Sequence, residues 1–489
     1  MSTHTRSRIV CALVAALLLN TAVSPARGQA PAQKSADGYN DHQNMMDQLG
    51  ITKLRPGRNG NNQTGEGFDE ATANIYKDTM PDVLTMKDGT KVTSPDQWPK
   101  RRAEILEDFE REVYGRIPAN VPKVTWEVTN TTEGKSGDIP TVTKTLVGHV
   151  DNSAFPDIKV NIQASFTVPA GATAPVPIVI EFGGGFGGGF GARRGGATPP
   201  AAAPVNPINV PWTRQAIAHG WGYGNISPES IQADLRGGDH LRDGIIGLTN
   251  KGEPRKPDDW GALRAWQWGV SRLIDYFEAN PDAKVDPKKV AVEGVSRYGK
   301  AALVAEAFEP RVAVAFVASS GEGGAKLHRR NFGEAVENLT GGEYYWMGGN
   351  FIKYGAAEPF TKTAADIPVD SHELIALCAP RPCFISYGIP VPKIGGGIGD
   401  PKWVDAHGSF MAGVLAGPVY RLLGKKDFGT PGDYLTDPMP EVGQLIGGEL
   451  AWRQHEGGHA SGPNFPTFFE WVSRYIPAPP LPVKNAAEN

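Results

Sequence analysis

The segment Glu293-Gly294-Val295-Ser296-Arg297-Tyr298-Gly299-Lys300 places a serine between glycines where two contrasting runs meet. The run before it, Lys289-Val290-Ala291-Val292, is apolar and β-branched, which is typical of a buried parallel strand. The run after it, residues 301–308, is rich in strong helix formers. Glycine is needed at such a junction because side chains would clash where the strand and the helix cross. The segment therefore predicts a sharp strand-to-helix turn that pushes the Ser296 hydroxyl into the open.

Strands and helices alternate through the remainder of the chain. We expect apolar strands at residues 176–182, 312–317 and 383–387, helices at 98–114, 258–280 and 465–475, and an antiparallel opening at 124–168. The apolar strands are not two-faced, so the class is α/β, with a mostly parallel central sheet and helices on both faces in a three-layer sandwich. On such a sheet, a serine at a glycine-flanked turn is the nucleophile elbow of an α/β-hydrolase, although Gly299 comes one residue later than usual. Asp258 or Asp259 is expected to cap the second helix.

The N-terminus resembles a secretory signal. Arg6 and Arg8 precede an apolar run, residues 9–23, that is too short to span a bilayer comfortably. We therefore expect a secreted or periplasmic protein with no membrane contact after cleavage of the signal. The predicted organisation is a signal peptide at 1–30, a flexible leader at 31–75, an α/β-hydrolase catalytic domain at 76–480 and a tail at 481–489.

Composition excludes some partners and favours many loops. Cleavage of the signal removes three arginines and no acid, which lowers the formal charge from −4 to −7 and argues against nucleic acid as a partner. Two long polar stretches, 183–211 and 226–257, predict loops that wall a cleft. Cys378 and Cys383 are expected to be buried free thiols, because an extended chain would hold them too far apart to bridge. We expect a monomer without a cofactor or a metal.

A serine nucleophile needs a base, and the segment His455-Glu456-Gly457-Gly458-His459-Ala460 lies before the last helix, where this fold supplies it. We take His459 as the base. The same segment spells HExxH, which would make the chain a zinc metallopeptidase if both histidines lay on one face of a regular helix. Two adjacent glycines disfavour that helix by ~1 kcal/mol each.

The acid that orients the base is expected after the penultimate strand. Asp400 and Asp405 both qualify, and Asp400 is preferred. Either aspartate could instead cap the helix that starts near Asp405.

These residues resemble the glucuronoyl esterases, carbohydrate esterase family 15. The resemblance spans roughly residues 90–478 and is carried by Gly294-Val295-Ser296-Arg297-Tyr298-Gly299-Lys300, Asp259-Trp260-Gly261-Ala262, Ser320-Gly321-Glu322-Gly323-Gly324 and the cluster of Asp400, Trp403 and Asp405. It implies cleavage of the esters that join 4-O-methyl-glucuronoyl groups on xylan to lignin alcohols, through a Ser-His-Asp acyl-enzyme and without a metal. The partner it implies is a glucuronoxylan or lignin–carbohydrate ester.

The resemblance also assigns roles within the site. It implies that Ser296 is the nucleophile, His459 the base and Arg297 a stabiliser of the oxyanion, and that Lys300, Trp403 and Glu334 bind the sugar. Two departures stand out. Val295 replaces a usual cysteine, which suggests that no disulfide ties the elbow to the histidine loop. Ser319 replaces the catalytic glutamate of many members, which strengthens Asp400 and Asp405 and leaves Glu322 as a third choice.

Two alternatives remain open beside the peptidase. The chain could be an acetyl or other simple carbohydrate esterase of the same fold. Without the usual glutamate, it could also be a non-catalytic glycan-binding relative. The cations at Arg297 and Lys300 argue against the first, since a neutral acyl group does not need them.

Overall fold

The computed structural model describes residues 38–60, 62–65, 67–183, 210–235, 239–389 and 402–481. All of them belong to one contact unit that runs from Ala32 to Asn489. The predicted signal, most of the predicted loop at 183–211, Asp400 and most of the predicted tail lie outside the described residues. Among the described residues, no helix combines the length and the apolar character that crossing a membrane requires.

Helices and strands alternate through the described residues. The α-helices are Asp41–Leu49 (α1), Trp98–Phe109 (α2), Trp212–Ala218 (α3), Gly244–Thr249 (α4), Ala262–Ala279 (α5), Arg297–Phe308 (α6), Val336–Thr340 (α7), Ser371–Ala376 (α8), Ala406–Leu422 (α9) and Phe465–Val472 (α10). The strands are Lys53–Leu54 (β1), Val124–Ser136 (β2), Ile139–Val150 (β3), Asn161–Pro169 (β4), Val176–Phe182 (β5), Gly222–Ile226 (β6), Val285–Val295 (β7), Val312–Ala318 (β8), Ala356–Glu358 (β9), Cys383–Gly388 (β10), Leu445–Gly447 (β11) and Leu450–His455 (β12).

One large sheet organises the described part of the chain, in the order β11-β12-β10-β8-β7-β5-β6-β4-β3-β2. Along the sheet, the neighbouring pairs β6–β5, β5–β7, β7–β8, β8–β10 and β10–β12 are parallel, whereas β11 pairs antiparallel with β12. Strands β2, β3 and β4 add an antiparallel edge, as the alternating pattern predicted. Because parallel strands end at the same edge of a sheet, the loops after β7, β8, β10 and β12 converge there.

Both faces of the parallel strands are buried, which confirms the three-layer prediction. Along β7, Val290 and Val292 belong to the main apolar cluster, whereas Ala291 belongs to a second cluster that includes residues of α3 and α10. Each valine side chain removed from water contributes roughly 1.5–3 kcal/mol. Because successive side chains point to opposite faces, a shift of one residue would exchange the two buried sets of side chains. Packing on both faces therefore fixes the register of the strand.

Helix α3 and strand β6 were not predicted from the sequence. Strand β6 is glycine-rich, so its composition does not indicate a strand. The structure gives a reason for one glycine: a Cβ on Gly224 would lie 2.6 Å from the carbonyl oxygen of Ser165 on the neighbouring strand β4. A residue with a side chain could not pair so closely.

Two local predictions near helix α5 were wrong. The helix is capped by Gly261 rather than by Asp258 or Asp259. The Asp259 carboxylate instead accepts hydrogen bonds from the backbone N–H of Lys256, at 2.7 Å, and from Asn250. The stretch 226–257 is also more than a polar loop, since it contains α4 and a fully buried Arg255.

The two cysteines are free and buried, as predicted, but the reason given for it was wrong. The chain between them turns rather than extends, and the Cys378 and Cys383 sulfurs lie within 4.8 Å of each other.

The prediction of a flexible leader at 31–75 is wrong for its described residues. Helix α1 buries Met45 completely and contributes Asp41, whose carboxylate contacts the Arg255 guanidinium at 3.1 Å. The side chains of this ion pair are 0% and 1% exposed. Few large apolar residues are present in this segment, so its attachment combines the burial of Met45, Met46 and Ile51 with an ion pair that composition does not reveal.

Replacing Asp41 with alanine is expected to destabilise the protein by about 3–5 kcal/mol, because a buried guanidinium is left without its counter-charge. The control is Asp47→Ala, an exposed position on the same helix, which should change stability by less than about 0.5 kcal/mol. Thermal unfolding of the two variants measures the difference. Equal melting temperatures would show that the Asp41–Arg255 ion pair does not stabilise the fold.

Candidate active site

Ser296 sits at the turn between β7 and α6, in a backbone conformation that most residues avoid. Its φ is 62° and its ψ is −128°, a strain of about 1–3 kcal/mol. The Ser296 N–H donates to the carbonyl of Ala318 on the next strand at 2.9 Å, which holds the turn in place.

The flanking glycines have steric causes. A Cβ on Gly294 would lie 2.3 Å from the backbone carbonyl oxygen of Tyr298, and one on Gly299 would lie 2.5 Å from the backbone carbonyl oxygen of Ala318. The late glycine of the motif therefore marks where α6 crosses the end of β8. The turn has the form of a nucleophile elbow.

Arg297 is held by a partner that sequence reasoning missed. Its guanidinium forms an ion pair with Asp234, whose side chain is only 3% exposed. The other oxygen of Asp234 accepts hydrogen bonds of 2.9 Å from Tyr345 and Trp346. The guanidinium also lies over the Tyr298 ring, 5.0 Å from its centre. These contacts fix the side chain beside the nucleophile.

The structure brings together Lys300, Glu334 and Trp403, for which the family resemblance implies sugar binding. The Lys300 ammonium donates to Glu334 at 2.8 Å and to the Ser320 carbonyl at 2.5 Å, and the lysine is 2% exposed. The Glu334 N–H donates to the Trp403 carbonyl at 2.7 Å. Lys300 therefore orients Glu334, and two of its three N–H donors have acceptors among the described residues.

The loop after β8 supplies no free acid. Ser319, at the position where the resemblance implies a catalytic glutamate in many members, is fully buried with φ 42°. Glu322 contacts Lys326 at 2.8 Å and His328 at 2.5 Å. Burial alone would raise the pKa of Glu322, but Lys326 and His328 hold that pKa below its usual value. The Glu322 carboxylate is already paired with two buried side chains, so the structure disfavours Glu322 as the acid that orients His459.

The HEGGH segment is not a helix, which contradicts the zinc-peptidase geometry. His455 ends strand β12, and the bend that follows has φ 127° at Gly457 and 73° at Gly458. A Cβ on Gly388, at the end of β10, would lie 2.0 Å from the Gly458 oxygen. The loop is therefore folded tightly against the strand ends, and it leaves His459 half-buried.

Asp405 already has structural partners. It caps α9 by accepting a hydrogen bond from the Gly408 N–H at 3.0 Å, and it contacts the Arg330 guanidinium at 2.8 Å. The predicted cap is thus confirmed. Its alternative role as triad acid stays a prediction, and Asp400, outside the described residues, stays the preferred candidate.

Two carboxyl groups lie near the ends of β5 and β7, at the edge of the sheet where the elbow is located. Glu181 on β5 and Glu293 on β7 are paired in register on adjacent strands, and Glu293 is fully buried. Burial raises the pKa of Glu181 to about 7, and burial together with the Glu181 charge raises that of Glu293 well above its usual value. Neither oxygen of Glu293 accepts a hydrogen bond of normal geometry, although the Ser461 hydroxyl lies close enough to lower its pKa somewhat.

A cavity of about 260 Å³ opens at the same edge of the sheet. Its lining includes Gly388, Gln454, Asp405 and His407, but neither Ser296 nor His459. It therefore neighbours the predicted catalytic residues without containing the nucleophile.

The sheet order and the elbow at the end of β7 define the class as α/β-hydrolase. A family model described as "Glucuronyl esterase, fungi" matches residues 255–395, which include the elbow. The chain is 32% identical over 412 residues to carbohydrate esterase MZ0003 of an unknown prokaryotic organism, covering 80% of this chain and 88% of that protein.

Solved structures point the same way. A glucuronoyl esterase of carbohydrate esterase family 15 from Teredinibacter turnerae is 37% identical, with a TM-score of 0.75, over 89% of this chain and 98% of that one. In sequence, the chain is also 30% identical over 313 residues to a 4-O-methyl-glucuronoyl methylesterase of Hypocrea jecorina, covering 63% of this chain and 56% of that protein. The chain belongs to the glucuronoyl esterase family, carbohydrate esterase family 15.

The Glu181–Glu293 pair predicts a pH-dependent stability. A raised pKa means that the folded state keeps protons which the unfolded chain releases, so stability falls as the pH rises from about 4.5 towards about 7. Glu293→Gln removes one of the two acids. Its melting temperature relative to the parent should rise between roughly pH 5 and pH 8.

The control for this series is Glu133→Gln, an exposed position on β2. Its melting temperature should follow that of the parent at every pH. If the melting temperatures of Glu293→Gln and of the parent depended on pH in the same way, ionisation of the Glu181–Glu293 pair would not affect stability.

Proposed function

We propose that this protein hydrolyses glucuronoyl esters, releasing an alcohol from the carboxyl group of a 4-O-methyl-glucuronoyl unit of xylan. The observation that carries the proposal is the strained Ser296 elbow with Arg297 beside it and the Lys300–Glu334–Trp403 cluster one helical turn away. Similarity to enzymes named for this activity supports the substrate class.

In the proposed reaction, His459 accepts the Ser296 proton as the hydroxyl attacks the ester carbonyl. The tetrahedral intermediate collapses, the alcohol leaves with the proton from His459, and an acyl-enzyme remains. Water, deprotonated by the same histidine, then releases the free uronate. Asp400 is proposed to hold the ring of His459 in the correct orientation.

Arg297 is proposed to stabilise the oxyanion through its backbone N–H and its guanidinium. Its ion pair with Asp234 bears on this role, because a guanidinium held by a buried partner needs little reorganisation during reaction. Asp234 is thus a positioning residue for the cation, and its place in the stretch 226–257 gives that stretch a part in the site.

Sugar binding is proposed to involve Glu334, Trp403 and the third N–H of Lys300. A carboxylate and an ammonium can each bond a sugar hydroxyl, and an indole offers an apolar face to a pyranose ring. The N-terminal segment supports this wall, since Gly60 packs against the Trp403 ring and the Gln63 side chain accepts a hydrogen bond from the backbone N–H of Trp403 at 3.3 Å.

The proposed cellular context follows from the sequence. Residues 1–30 are proposed to be a cleaved signal peptide, so that a monomeric catalytic domain reaches the periplasm or the medium. Its N-terminal limit is better placed near Asp41 than at residue 76, because α1 is packed into the fold.

Substrate preference tests the function directly. The mature protein should hydrolyse benzyl glucuronate with a kcat/KM well above that for p-nitrophenyl acetate, because only the uronate ester engages the sugar-binding residues. Ser296→Ala should lower kcat by at least about 10⁴-fold. Efficient hydrolysis of p-nitrophenyl acetate without hydrolysis of benzyl glucuronate would favour a simple esterase. If Ser296→Ala kept both activities, Ser296 would not be the nucleophile.

The two aspartates are separated by comparing activity with stability. Asp400→Asn should lower kcat by about 10³–10⁴-fold with little change in melting temperature. Asp405→Asn should instead lower the melting temperature, because it weakens the contact with the buried Arg330. Kinetics measured well below both transitions decide between them. A catalytic loss confined to Asp405→Asn would reverse the assignment.

A further inference from the structure

Three side chains of the types that bind metal ions lie together in the core, near the C-terminal end of α6. Glu306 lies near the end of α6, Cys378 follows α8, and Cys383 is the first residue of β10. All three residues are 0% exposed. One carboxylate oxygen and the two sulfurs lie within 4.8 Å of one another.

The Glu306 carboxyl group has only weak partners among the described residues. Neither of its oxygens accepts a hydrogen bond of normal geometry, and its nearest donors are the two thiols, which donate weakly, and the backbone N–H of Ala315. Burying an acid in this way is costly unless it is paired or bound to a metal. The group is also aimed at the two sulfurs rather than at solvent.

The donor set supplies three of the four ligands of a tetrahedral zinc site, two of them thiolates. Zinc binds sulfur at about 2.3 Å and carboxylate oxygen at about 2.0–2.2 Å, so its ligand atoms lie roughly 3.5–4 Å apart. The observed separation limit of 4.8 Å is compatible with that arrangement.

The charge of such a site also has a counterpart nearby. Two thiolates and a carboxylate exceed the charge of the ion by one. The Arg381 guanidinium, which donates to the Glu306 and Cys378 carbonyls at 2.6 and 3.2 Å, supplies a neighbouring cation.

We propose that Glu306, Cys378 and Cys383 form a structural binding site for zinc. Binding releases the two thiol protons, and any proton on Glu306, to solvent, and it involves no oxidation or reduction. The ion ties the nucleophile helix to the start of β10 and to the turn after α8. Glu306 is ten positions after Ser296, about 15 Å along the helix, so the ion takes no part in the ester chemistry.

Zinc content tests the site in the full-length chain. The protein is produced in zinc-supplemented medium, passed through gel filtration and analysed by plasma emission. The parent is expected to retain about one zinc ion per chain. Glu306→Gln, which preserves the shape of the side chain, should lower the retained zinc at least tenfold, as should the double variant Cys378→Ala with Cys383→Ala.

His459→Ala is the control, because it disrupts the HEGGH segment and leaves the core cluster intact. It should retain as much zinc as the parent. Protein grown with Co²⁺ should show a thiolate-to-cobalt absorption band that the cysteine double variant lacks.

Three results would overturn the proposal. One is a parent that carries no more zinc than the double variant, and another is zinc lost in His459→Ala alone. The third is a Cys378–Cys383 disulfide, detected as thiols that become titratable in denaturant only after reduction. Because zinc is counted independently of turnover, none of these results depends on the proposed esterase activity.

Discussion

The crossing of α6 over the ends of β7 and β8 is the constraint on which the remainder of the site depends. Gly294 and Gly299 allow the helix to pass within contact distance of backbone atoms, and the Ser296 N–H is fastened to Ala318. A strained serine persists there because the buried strands on either side over-determine its position. The helix that follows then carries Arg297 and Lys300 to the same edge of the sheet.

Polar partners complete what the crossing begins. Asp234 holds Arg297, Glu334 holds Lys300, and Gly458 packs against the end of β10 to place the histidine loop. Each contact joins segments that are far apart in sequence. The site is therefore built by the convergence of loops at one edge, and each loop is fixed by a buried ion pair or by a close backbone contact.

The sequence predicted the parts of this arrangement that depend on local pattern. The apolar runs of β5, β7, β8 and β10 and the elbow itself follow from periodicity and glycine placement, and the order of serine and histidine follows from the fold. What it missed depends on distant partners. No local sequence pattern indicates the ion pair of Asp41 with Arg255, the ion pair of Asp234 with Arg297, or the glycine-rich strand β6. Each of these features is explained only by a residue that is distant in sequence. The turn that brings Cys378 to Cys383 escaped for the same reason.

The central claim is that Ser296 carries the uronoyl group during turnover. Rapid acid quenching of the protein with benzyl glucuronate, followed by peptide mass spectrometry, measures this directly. The account predicts a glucuronoyl adduct on the peptide that contains Ser296, and no adduct in Ser296→Ala. Turnover that persists in that variant, or an adduct on another residue, would contradict it.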